Sequence, residues 1–76
     1  MEELFKYYLS EEEKYALIEK LTPELPLLRT KAEISPEEIA NIIGTSRQTY
    51  GAIERRARKM SWNTYLSLIW FYDYNR

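Results

Sequence analysis

The chain has 76 residues, no cysteine, no histidine and a net charge of −1 at neutral pH. A single domain of this size buries only about 60% of its unfolded surface, so its core is small. Without Cys or His there is no disulfide, no zinc finger and none of the usual nucleophile and general-base pairs, so neither an enzyme nor a metal or cofactor site is expected.

No apolar run approaches the roughly 18 residues of a membrane span. The acidic start, "MEELFKYYLSEEEK", lacks the basic-then-apolar order of a signal peptide, and a cytoplasmic protein is the expectation. Charge is polarised along the sequence. Residues 1–26 carry three Lys against seven Glu, a balance of −4, whereas residues 27–60 carry seven Lys or Arg against four Glu, a balance of +3. Asp73 and Arg76 cancel in the remainder. Such runs are either solvated faces or, where basic, the footprint of an anionic partner.

The elements read as helices from end to end, giving an all-α fold of about five. Leu4, Phe5, Tyr8 and Leu9 have helical spacing, as a short helix or an arm. Ser10 with Glu13 makes a capping box that opens a segment with Tyr15, Leu17, Ile18 and Leu21 as its apolar positions. Thr22-Pro23 reads as an N-cap followed by Pro at the first helical position. That segment runs to about Ala32, with Leu25, Leu28 and Ala32 toward the core. Ser35-Pro36-Glu37-Glu38 repeats the device. Ile39, Ala40 and Ile43 form its apolar stripe, and Gly44 stops it. Thr45 and Gln48 read as a further cap pair, before a helix that buries Tyr50, Ile53 and Ala57. Ser61 caps a last helix containing Trp62, Tyr65, Leu66, Leu68, Ile69 and Tyr72. The whole is one domain, with residues 1–22 an acidic helical extension and residues 23–72 the core.

Two short helices either side of Gly44-Thr45-Ser46 predict a helix-turn-helix. Arg47 and Gln48 fall in the first turn of the second helix, the end that reaches base edges in a major groove. Arg forks onto guanine and Gln onto adenine. Gly51 costs about 1 kcal/mol relative to Ala in mid-helix. The compensation is either close approach to DNA or relief of crowding beside Tyr50.

From Leu28 to Tyr72 the chain resembles the Cro/C1-type (XRE-like) helix-turn-helix family. The residues that carry the resemblance are Leu28-Arg29, Ser35-Pro36-Glu37-Glu38-Ile39-Ala40, Gly44-Thr45-Ser46-Arg47-Gln48-Thr49, Ile53-Glu54-Arg55 and Ser61-Trp62-Asn63-Thr64. The resemblance implies a lambda-repressor-like five-helix domain that binds operator DNA, commonly as a dimer. It implies base contacts from Ser46, Arg47, Gln48 and Ala52. Thr45 and Thr49 would reach phosphates, and Arg55, Arg56, Arg58 and Lys59 would follow the DNA backbone. Glu54 and Arg55 have an alternative role, pairing internally to brace the loop.

Three departures stand out. Pro36 replaces a Gln that contacts DNA in the family. Arg56 stands where the family has Gly, so either the backbone there is strained or the helix runs on. The first twenty or so residues have no counterpart.

The tail "SWNTYLSLIWFYDYNR" holds more aromatics than one core stripe accommodates. Trp70 and Tyr74 are left over, either covered by Phe5, Tyr8 and Leu9 or forming a dimer or partner surface. The function expected is a sequence-specific transcriptional regulator, a repressor binding double-stranded DNA of twofold symmetry as a homodimer. The alternative is an antitoxin-like or adaptor module on the same fold, with a protein partner and weak or no specific DNA binding. No separate ligand-sensing domain is expected in a sequence of this length.

Overall fold

The computed structural model describes residues 9–74, the side chain of Tyr74 excepted. The expected helix around Leu4, Phe5 and Tyr8 lies outside the described residues. The described chain is helical throughout: α1 (Glu11–Leu21), a 3-10 turn (Thr22–Glu24), α2 (Leu25–Ala32), α3 (Pro36–Ile43), α4 (Arg47–Glu54) and α5 (Trp62–Tyr74). None of these helices is long and apolar enough to cross a membrane.

Local chemistry sets most of the boundaries. The Ser10 hydroxyl accepts from the Glu13 backbone N–H at 3.1 Å, and the Glu13 carboxylate accepts from the Ser10 N–H at 2.8 Å. These bonds satisfy two donors that a helix start otherwise leaves open, and they hold the Glu13 carboxyl below its usual pKa. Ser35 and Glu38 repeat the box with the same distances at the head of α3. Gly44 ends α3 at φ +79, a conformation that costs glycine little.

Each helix sends one side chain or more to the centre. Leu25, Ile39, Tyr50 and Leu68 are fully buried, one from each of α2 to α5, and Ile18 and Leu21 join them from α1. Burying each such side chain contributes about 1.5–3 kcal/mol.

Several sequence expectations need correction. Thr22 is not an N-cap. Its backbone stays right-handed helical and its hydroxyl donates back to the Ile18 carbonyl at 2.7 Å, so the chain passes from α1 into α2 without the extended residue a cap requires. Ala32 is exposed, because α2 ends on it. Ser46, not Thr45, caps α4, which accordingly begins one residue later than the Thr45–Gln48 pairing implies. Ala57 is exposed and Met60 takes the core place expected for it. The helical period stops at Glu54, so it no longer governs residue 57. Leu66 is about half exposed, on the opposite side of α5 from Leu68 and Tyr72.

Candidate nucleic-acid interface

α3 and α4 form the most extensive helix pairing among the described residues. The turn between them is closed by the Thr45 N–H, which donates to the Ala40 carbonyl at 2.9 Å. Ser46 is extended, and its hydroxyl accepts from the Thr49 N–H at 3.0 Å while donating to Thr49 Oγ1 at 2.9 Å. Both hydroxyls are therefore engaged in starting α4. Arg47 and Gln48 follow directly and are exposed. Among the described residues Arg47 makes no ion pair.

The inner face of α4 is fixed by packing and by charge. Tyr50 is fully buried and Ile53 nearly so. Arg29 of α2 meets Glu54 with two bonds, Nε to Oε2 at 2.9 Å and Nη2 to Oε1 at 3.3 Å. The Tyr50 hydroxyl donates to the same Oε2 at 2.7 Å. Burial alone would raise the Glu54 pKa, but the bonds from Arg29 and Tyr50 and the charge of Arg29 outweigh it, so the carboxyl sits below its usual range. Burial, then the neighbouring Glu54 carboxylate, pushes the Tyr50 hydroxyl far above its ordinary pKa. Tyr72 lies beside this cluster, and its buried hydroxyl finds no hydrogen-bond partner among the described residues. Glu54 is thus an internal brace, but its partner is Arg29 and not Arg55.

No known protein family, curated protein or solved structure matches the chain. What the site can do rests on the residues themselves. Pro36, Arg47, Gln48, Gly51, Glu54 and Arg55 line an open groove of about 280 Å³ where the start of α3 meets α4. The fold therefore gathers Arg47, Gln48 and Arg55 into one place. Ala52 is half-buried and presents only its methyl group.

The remaining basic residues are spread along the segment after α4. Arg56 sits at φ +64, the left-handed region, so the strained alternative holds at this position. Its N–H and those of Ala57 and Arg58 are taken up by the carbonyls of Ile53 and Ala52. Arg56 and Arg58 are exposed. Lys59 is also exposed, but its ammonium lies over the Tyr15 ring of α1, 4.5 Å from the centroid. It is drawn toward the acidic helix by a cation–π contact.

A second surface lies where α3 meets α5. Trp70 is 54% exposed, and Ile42 and Leu66 are 47% exposed beside it. The side chain of Tyr74, the other residue expected here, lies outside the described residues, as do Phe5 and Tyr8 as its expected cover. Sequence reasoning missed Ile42 and Leu66 in this patch and gave Arg29 no role. The only trace of Arg29 was its place beside Leu28 in the motif.

Proposed function

We propose that this chain is a sequence-specific DNA-binding regulator of the Cro/C1 type. It is a repressor that works by occluding its site, with α3 and α4 as the helix-turn-helix. The observation that carries the reading is the two-sidedness of α4. Arg47 and Gln48 stand exposed in its first turn, while Tyr50 and Ile53 anchor the opposite face in the core. In the major groove Arg47 forks onto a guanine and Gln48 onto an adenine, and the Ala52 methyl suits a thymine methyl. Ser46 fixes the register of that turn. Thr45, Thr49, Arg56, Arg58 and Lys59 add phosphate contacts, which supply affinity without sequence information. A second copy meets the first through the patch around Trp70, and two modules read half-sites about 34 Å apart.

Selection of bound duplexes from a random-sequence library at near-physiological salt tests this. The expected result is an enriched site of twofold symmetry. Arg47→Ala then costs about 1–3 kcal/mol at the preferred base and relaxes specificity there. Equal loss on every sequence would remove the base-reading role and leave only a phosphate role.

One observation favours a second reading. The apolar patch of Ile42, Leu66 and Trp70 is open, and it fits a protein partner as well as a second copy. On that reading the chain is an antitoxin-like or adaptor module. No enrichment from a folded protein, with weak binding that salt abolishes on all sequences alike, is its signature.

A further inference from the structure

Arg55 is the C-cap residue of α4, yet its guanidinium does not lie at that end of the helix. A Cβ added at Gly51, one turn earlier, would stand 3.2 Å from Arg55 Nη1. The side chain therefore folds back along the helix, in the direction that helical side chains lean, and its head group rests where residue 51 has none. Glu54, the carboxylate in the same groove, does not hold it there. Both oxygens of Glu54 are already taken, by Arg29 and by Tyr50. Among the described residues Arg55 has no ion pair. Its guanidinium shares the groove beside α3 with Arg47 and Gln48.

We propose that Arg55 is a base-reading residue. Its guanidinium, laid over Gly51, presents a second fork to a guanine edge next to the base read by Arg47. This rests on the reading of α4 as the recognition helix and deepens it. Gly51 acquires a specific role: with no side chain of its own, it leaves the Arg55 head group room to lie against the helix. A guanine is the class of base that fits, because its O6 and N7 are paired acceptors matched to two guanidinium donors. A backbone phosphate, the role a residue after the recognition helix would otherwise fill, accepts the same donors but carries no sequence information.

The test is library selection with the wild-type protein, Arg55→Ala, Arg55→Lys and Gly51→Ala, each first checked for folding by circular dichroism. The expected result is that wild type enriches a site containing a guanine that Arg55→Ala no longer selects, while preference at the other positions survives. Affinity for that site falls about 5- to 150-fold, and Arg55→Lys does not restore the preference. Gly51→Ala leaves the helix intact and weakens the same guanine preference less than Arg55→Ala does, because its methyl group would stand 3.2 Å from Nη1 and move the head group by a few tenths of an ångström. The proposal is overturned if Arg55→Ala lowers affinity equally on all sequences and reduces the salt slope by about one, the mark of a phosphate contact. It is overturned together with the parent reading if folded wild-type protein enriches no site at all.

Discussion

Replacing Arg56 by glycine and, separately, by alanine tests where α4 ends. At φ +64 the Cβ of an L-residue crowds the backbone, at a cost of about 1–2 kcal/mol. Glycine relieves that crowding and alanine does not. Both substitutions remove the same exposed guanidinium, so the loss of charge cancels between them. Glycine gives back part of its gain through greater freedom in the unfolded chain, about 0.4–1 kcal/mol. The net expectation is that Arg56→Gly is about 1 kcal/mol more stable than Arg56→Ala. For a domain of this size that difference moves the Tm by about 4–8 °C. Thermal and urea unfolding followed by far-ultraviolet circular dichroism measure it. Had the helix continued through residue 56, the order would invert, since glycine inside a helix is about 1 kcal/mol worse than alanine. An Arg56→Ala protein as stable as Arg56→Gly, or more so, would refute the reasoning. DNA affinity supplies a second readout. On the proposed DNA-binding reading both variants lose one phosphate contact, and their salt slopes fall by about 0.9, equally.

The other predictions follow from the brace and the patch. Glu54→Gln leaves Arg29 without its counter-charge and costs about 1–3 kcal/mol at pH 7, read from the urea midpoint. The Glu54 pKa is lowered in the folded state, so its contribution is fully present above the usual carboxyl value of 4.5 and is lost as the pH falls through the lower folded value. The wild-type stability therefore drops more steeply than that of Glu54→Gln as pH falls below about 5, and parallel curves would remove the carboxylate from the account. Tyr50→Phe loses the bond to Glu54 and costs about 1 kcal/mol. Tyr72→Phe removes a buried hydroxyl that has no partner among the described residues and is neutral or stabilising; a loss above about 1 kcal/mol would mean that the hydroxyl is bonded. Leu66→Glu changes an exposed position, so the Tm stays close to wild type, and on the proposed dimer reading sedimentation shows weaker self-association; an unchanged oligomeric state would exclude this patch from such a contact.

The parts of this fold that were legible in the sequence are those decided within four residues. Ser10 with Glu13, Ser35 with Glu38, and Gly44 each act on neighbours, and each stands in its expected role. What escaped was decided by contacts distant in sequence or by where a period stops. Arg29 and Glu54 are 25 residues apart, and no spacing rule pairs them. Ala57 and Met60 changed places because α4 ends at Glu54. α5 carries apolar or aromatic side chains around most of its circumference, so its pattern does not single out one inner face, and packing against α1 and α3 separates buried Leu68 from exposed Leu66. In the candidate site, Arg47 and Gln48 were legible from their place after the turn. The position of the Arg55 head group was not, because it depends on the rotamer of a long side chain over a residue that has none.

The lengths of α3 and α4 have a consequence for the surface that α4 offers. Each has eight residues, and a helix that short does not persist in water by itself, where roughly 12–15 residues are needed even for favourable sequences. The surface offered by α4 therefore has no existence apart from the whole domain. A peptide spanning the two helices would be a coil with little affinity for anything the intact protein holds. A single cleavage or local opening that loosens α2 or α5 would therefore remove that surface together with the fold it depends on.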